Sequence, residues 1–204
     1  MPTSPSKQHW HASSGPEYAL PTVAQITHAA SLPLYGEEGR QVRFGSLFEA
    51  RKTIVVFIRH FWCPLCQDYM TVVSEVVKPD MLERGHERVD FIIISNGAHG
   101  MITKYRQMFK LPFKIYTDPT LALYKALGMG KDGSKGYVKH GLMSGIAMVV
   151  VRAIKVGMPV WEKGGDVGQL GGEFVFGPGL TCSFAHRMQT TKGHAPIQEV
   201  LQAA

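Results

Sequence analysis

The run Thr53-Ile54-Val55-Val56-Phe57-Ile58 leads almost directly into Phe61-Trp62-Cys63-Pro64-Leu65-Cys66, and this pairing narrows the fold more than any other stretch of the chain. From Ile54 to Ile58 both parities are apolar, the pattern of a central strand covered on both faces by other elements. The residues after the cysteines have helical spacing. Met70, Val73, Val76 and Val77 share one side, Asp68, Ser74 and Glu75 the other, and Pro79 lies just past the end. Two cysteines three apart therefore stand where a buried strand turns into a helix. A helix start presents unpaired N–H groups and the positive end of the macrodipole, and both favour a thiolate over a thiol. The thiolate is the nucleophilic form, so this placement gives cysteine chemistry at neutral pH. Pro64, between the cysteines, fixes φ at the first helical position, where no N–H is needed.

The remaining pattern repeats strand and helix. Residues 89–95 form a second apolar strand, 101–109 a short helix and 113–117 a third strand. Asp118-Pro119 is read as an N-cap and first helical residue, and that helix ends at Gly128. Arg40-Gln41-Val42-Arg43-Phe44 reads as a short strand. Strands alternating with helices at this spacing predict an α/β domain built on βαβ units. A departure follows at about 130–172: a loop from Lys131 to Gly136, an apolar segment over 142–154 read as helical, and a Gly-rich stretch 161–172. It is expected to cover one end of the sheet, as long excursions in compact domains often do at functional sites. A hairpin over Gly177-Pro178-Gly179 and a helix over 196–201 close the chain. Residues 1–22, rich in Ser, Pro and His, read as a flexible tail on a domain spanning 23–204, with Trp10 and Tyr18 the two tail aromatics suited to tucking into a groove.

Composition excludes several functions. With 204 residues, 45% hydrophobic and 19% charged, the chain can bury a core without disulfides. Three cysteines are too few, and an odd number, for a secreted disulfide scaffold, which argues for a reducing compartment and a cytoplasmic location. The net charge of +6 comes from scattered Lys and Arg, without the basic runs that would point to nucleic acid. No stretch approaches the roughly 18 apolar residues of a membrane span, and the N-terminus lacks the apolar core of a signal peptide.

Val56-Phe57-Ile58-Arg59-His60-Phe61-Trp62-Cys63-Pro64-Leu65-Cys66, Leu111-Pro112-Phe113-Lys114-Ile115-Tyr116-Thr117-Asp118-Pro119 and the stretch from Gly165 to Gly179, together with His186-Arg187, resemble the peroxiredoxin-like proteins of the alkyl hydroperoxide reductase/thiol-specific antioxidant superfamily. The resemblance spans about residues 40–201. It implies a thioredoxin-like fold, a mixed central sheet flanked by helices, with the 130–172 insertion ahead of the C-terminal hairpin. One branch of that family contains prostamide/prostaglandin F synthases. The resemblance implies a thiol oxidoreductase that reduces a peroxide, an endoperoxide or a disulfide with its Cys pair. It further implies no bound cofactor and electrons drawn from thioredoxin or glutathione. The family motif's Thr falls on Cys63 when counted back from Cys66, and on His60 when counted back from Cys63. The cis-proline of thioredoxins falls on Gly171-Gly172.

Cys63 and Cys66 are the candidate redox pair. Helix-start geometry makes Cys63 the more exposed attacking thiol and Cys66 the resolving one, whereas the peroxiredoxin register reverses these roles, and the residues leave both assignments open. The bland alternative is two inert buried cysteines; the motif rule for a Cys-x-x-Cys near βαβ favours redox chemistry. Arg59 and His60 end the strand beside the pair, where either could lower a thiol pKa and His60 could relay protons. Arg187 follows the last strand, where the resemblance implies an arginine that stabilises the thiolate. Trp62, Pro64 and Trp161 are candidate substrate contacts. Cys182 reads as packing. The apolar excursion could form a pocket for a hydrophobic substrate, as in a redox fold recruited to small-molecule tailoring, or equally a homodimer surface. A copper-handling module is the minor alternative, since soft thiolates suit Cu(I), but no second Cys/His pair has zinc-site spacing and no metal site is expected.

Overall fold

The computed structural model describes residues 15–84, 87–132 and 142–204. Its centre is a seven-stranded mixed sheet in the order β2-β1-β7-β6-β3-β8-β9, where β1 is Pro33–Tyr35, β2 Gln41–Arg43, β3 Thr53–Phe57, β6 Asp90–Ser95, β7 Lys114–Thr117, β8 Gly172–Phe176 and β9 Cys182–Arg187. Two short strands, β4 (Glu83–Arg84) and β5 (Glu87–Arg88), pair apart from it. β3, β6 and β7 run parallel, joined through α2 (Pro64–Val76) and α3 (Ile102–Phe109), while β8 and β9 add antiparallel on the other side of β3. This is the α/β thioredoxin-like arrangement expected from the sequence.

The apolar run becomes the central strand because both its faces are needed. Ile54, Val56 and Ile58 pack with Cys63, Cys66, Met70, Ile102, Tyr105 and Val175 on one face. Val55 and Phe57 pack with Phe44, Leu123, Tyr124, Phe174 and Phe176 on the other. Side chains of this size stabilise by roughly 1.5–3 kcal/mol each when fully buried, so a strand carrying both sets belongs at the centre. The helices α2, α3, α5 (Leu142–Val156) and α6 (Ile197–Ala203) contribute to the first core, α1 (Val23–Ser31) and α4 (Ala122–Ala126) to the second. β8 lies so close to β3 that a Cβ at Gly171 would run into the Phe57 carbonyl oxygen. A bare glycine backbone is what this approach requires. The cis peptide bond among the described residues is Gly177-Pro178, in the hairpin turn, not at Gly171-Gly172.

Several expectations need correction. Asp118-Pro119 does not begin α4. Leu121 adopts a left-handed conformation at φ 61, so the helix starts at Ala122, and Asp118 caps from outside by accepting the Leu123 N–H at 2.8 Å and the Thr120 hydroxyl at 2.6 Å. The helix expected over 196–201 is α6, with Pro196 as its N-cap. The excursion is divided. α5 lies on α2 and α3, with Gly145 against Pro64 and Arg152 paired to Asp68 at 3.3 Å, while residues 163–169 run over the ends of β3 and β6, where Gly164 and Lys163 accept the Phe61 and Ala98 N–H groups.

The described part of the N-terminal segment is tied down. Thr22 and Gln25 form a reciprocal capping box on α1, and the carbonyls of Pro16, Glu17 and Ala19 accept from Arg187. Tyr18 rests on β9, its ring 5.1 Å from His186 and 6.5 Å from Phe184. The expectation for Trp10 lies outside the described residues. Among those residues no helix is long and apolar enough to cross a membrane.

Candidate active site

Cys63 is the N-cap of α2 and Pro64 its first residue. With φ −73 and ψ 114 the Cys63 backbone is extended, so its sulfur folds back over the helix start and accepts the Cys66 N–H at 3.3 Å. The thiol thereby fills the capping role that a serine or aspartate oxygen usually plays. Cys66 lies one turn on, its sulfur receiving the Arg59 N–H at 3.4 Å. Both cysteines are free thiols and neither is exposed, at 0% for each, so exposure does not separate the two as expected.

Burial does not act equally on the two sulfurs. Cys63 is pulled down to about 6, chiefly by the hydrogen bond from the Cys66 thiol, which outweighs desolvation; the Cys66 N–H and the charge of Arg59 add to it. Cys66 is pushed well up, first by burial and then by donating to, and lying beside, a Cys63 thiolate. One thiolate next to one thiol is the arrangement that separates attacking and resolving roles. Titrating thiolate ultraviolet absorbance should show a midpoint near 6 for Cys63. Cys66→Ala, which deletes the largest stabilising contact, should move that midpoint up.

Arg59 supplies the cation. Its guanidinium reaches Cys63 Sγ at 3.6 Å and is aimed there by donating to the Gln169 carbonyl at 3.2 Å and the Val167 carbonyl at 2.5 Å. His60 is buried, its Nδ1 without a partner in the structure, and burial with the Arg59 charge pushes it down to about 4. It is therefore neutral at neutral pH, and the positive charge beside the thiolate comes from Arg59. Trp62 packs on the Gly164 backbone so closely that no Cβ fits there.

Arg187 does not join the thiols. Paired opposite Gly172, it lies on the face of the sheet turned away from them, over the Phe174 ring at 5.4 Å, and donates to the Leu127 carbonyl at 2.6 Å and the Ala19 carbonyl at 2.7 Å. Strand alternation sends adjacent residues to opposite faces, so it is His186 that faces the site. Trp161 stands 82% exposed. Cys182, pushed up to about 11 by burial, is a packed thiol whose sulfur donates to the Phe184 carbonyl.

Two residues join the site that sequence reasoning did not select, Glu173 and His194. Glu173 is fully buried on β8, directly opposite His186. Its carboxylate meets His194 Nδ1 at 2.5 Å, His186 Nδ1 at 2.6 Å and the Ala195 N–H at 3.1 Å. His194 Nε2 in turn lies 3.4 Å from Cys66 Sγ, with its ring stacked on Tyr69 at 4.3 Å. His186 Nε2 continues to Glu17 at 2.9 Å. Burial would raise the Glu173 carboxyl, but the two histidines outweigh it and hold it below its ordinary value. The available signal was a glutamate inside an otherwise apolar strand, since such a charge is almost never buried unless paired.

Residues 75–190, more than half of the chain, match the family model described as AhpC/TSA antioxidant enzyme. The human protein Peroxiredoxin-like 2C is 32% identical over 94% of this chain and 84% of its own length, and its mouse counterpart 33% identical over the same shares. The chain belongs to the AhpC/TSA family. The matched stretch begins after the cysteine pair, so it is the relatives, aligned over nearly the whole chain, that extend the likeness across the site. Among solved structures, the Xanthomonas campestris bacterioferritin comigratory protein superposes with a TM-score of 0.55 at 13% identity, covering 87% of this chain and 92% of that one. At that identity the likeness speaks for the fold, which in this AhpC/TSA chain places Cys63 at the N-cap and Cys66 in the first turn of α2.

Proposed function

We propose that this protein is a thiol peroxidase or related reductase in which Cys63 attacks a peroxide or endoperoxide O–O bond and Cys66 resolves the product to a disulfide. The observation that carries this reading is the unequal placement of the two sulfurs. Cys63 caps the α2 N-terminus, accepting the Cys66 N–H at 3.3 Å and the Arg59 guanidinium at 3.6 Å, both of which favour a thiolate, while Cys66 lies fully buried one turn away, where burial favours the thiol. For a hydroperoxide, the Cys63 thiolate bonds to the terminal oxygen, the O–O bond breaks, and the departing alkoxide takes up a proton from solvent to leave as the alcohol, with Cys63 as sulfenic acid. Cys66 then displaces water and the S–S bond forms. Because neither sulfur meets solvent, substrate access to Cys63 requires local opening of the structure around it. A reducing thiol of the thioredoxin or glutathione type returns the pair to its starting state. Family membership supports the reaction class; the substrate is part of the proposal.

The test is direct. Reduced protein treated with one equivalent of hydrogen peroxide or an organic hydroperoxide should form a Cys63–Cys66 disulfide, seen by mass spectrometry of unreduced peptides. Thiols that remain reduced under both oxidants would overturn the reading. Among the described residues no group of three or more His, Cys, Asp or Glu side chains is arranged to hold a metal ion, and no observation favours the copper-handling alternative.

A further inference from the structure

We propose that His194, held by Glu173, is the acid–base residue of the resolving step, taking the proton from Cys66 so that its sulfur can attack oxidised Cys63. This rests on the reading of Cys63 and Cys66 as attacking and resolving thiols. A buried thiol well above its ordinary pKa cannot attack until its proton has somewhere to go. The Arg59 N–H at the Cys66 sulfur can only donate. Among the described residues the other nitrogen placed against that sulfur is His194 Nε2, at 3.4 Å. Glu173 Oε1, 2.5 Å from Nδ1, fixes the tautomer with the proton on Nδ1, which leaves the Nε2 lone pair facing sulfur. The flat stack of the ring on Tyr69, with 1° between the planes, holds that orientation. A nucleophile, a histidine and an orienting carboxylate in a row is the logic of a triad, here applied to the resolving rather than the attacking sulfur.

The arrangement also sets the order of events. In the reduced pair the Cys66 thiol donates to the Cys63 thiolate. Once Cys63 is a sulfenic acid that negative acceptor is gone, and His194 is the acceptor still in place. Cys66–SH and Cys63–S–OH then give the disulfide and water. The S–S bond forms and the S–O bond breaks, while the Cys66 proton passes to Nε2 and on to the departing hydroxide. The two electrons left Cys63 in the preceding step, when the peroxide was reduced. The groups facing His194 are Cys66 and Tyr69 from α2 and Glu173 from β8. His186 of β9 and Glu17 lie behind Glu173, and Cys63 with the Arg59 guanidinium lies beyond Cys66.

The test follows one turnover with hydrogen peroxide, trapping the Cys63 sulfenate with dimedone and counting disulfide by mass spectrometry. In His194→Gln, the sulfenate that forms should persist, with disulfide closure, timed from the trapped sulfenate, slowed by about 10²-fold or more. The residual closure should speed up about tenfold per pH unit as hydroxide replaces the lost base, a slope that a merely structural role would not produce. The parent protein should close more slowly in D2O than in H2O, a measurement that needs no variant to fold. Closure in His194→Gln within about threefold of the parent with an unchanged pH profile, or equal parent rates in the two solvents, overturns the proposal. Absence of both sulfenate and disulfide in the parent protein instead overturns the peroxidase reading beneath it.

Discussion

Replacing Glu173 with Gln should destabilise the protein by about 3–5 kcal/mol, the usual consequence of removing one partner from a buried charged cluster. The carboxylate is fully buried and is the shared acceptor for His186, His194 and the Ala195 N–H. An amide of the same shape keeps one acceptor oxygen and turns an NH2 group toward a histidine N–H, leaving two donors face to face with no water to separate them. The loss should depend on pH in a defined way. Glu173 is held below its ordinary value, so its share of the stability is present above about pH 4.3 and disappears as pH falls through its folded-state value. His186 is held above its ordinary value, because its bonds to Glu173 and Glu17 outweigh the opposing effect of burial. Its share is complete below about pH 6.5 and is lost as pH rises through its folded-state value. The gap between parent and Glu173→Gln should therefore be widest between about pH 4.3 and about pH 6.5 and narrow on either side. Urea unfolding across that range measures it, and a gap that does not vary with pH would show that the cluster contributes through shape alone.

That cluster also marks where sequence reasoning stops. The central strand and the helix start were legible because the periodicity and the proline between the cysteines are local signals, and α5 was legible as an apolar run of helical length. Glu173 gave half a signal, a charge in a run where Gly172, Phe174, Val175 and Phe176 are all buried. Its partners could not be named, since His194 comes from a loop and His186 faces it only through the β8–β9 register. The same register separates the two candidate arginines. Arg59 continues the strand that delivers the cysteines and bends toward them, whereas one step of alternation past His186 sends Arg187 to the far face. The N-terminal segment has no periodicity to read, yet Glu17 and Tyr18 lie on β9, because the contacts that hold them belong to residues 169 and 166 positions further along the chain.

Cys63→Ser should abolish the reaction with peroxide, a fall of at least about 10³-fold, whereas Cys66→Ser should leave the first step largely in place and stop there. The two serines are nearly isosteric with the thiols they replace, so the fold should survive both, and the contrast between them reports roles. A Cys63 hydroxyl at the α2 N-cap would still accept the Cys66 N–H, but its proton stays on at neutral pH and it has no sulfur to oxidise. The Cys66 left beside it loses its thiolate neighbour, yet it remains fully buried with its pKa pushed up by that burial, so it cannot take over. In Cys66→Ser, Cys63 keeps the helix start and the Arg59 guanidinium at 3.6 Å, and a serine hydroxyl can still donate to the thiolate. One equivalent of peroxide should then be consumed and the product should be a dimedone-reactive sulfenate on Cys63, with no internal disulfide. Stopped-flow consumption of hydroperoxide with mass spectrometry of the quenched protein reads both. The reverse outcome, peroxide consumed by Cys63→Ser and not by Cys66→Ser, would assign the attack to Cys66. The low-pKa thiolate at the helix start would then act as the resolving partner.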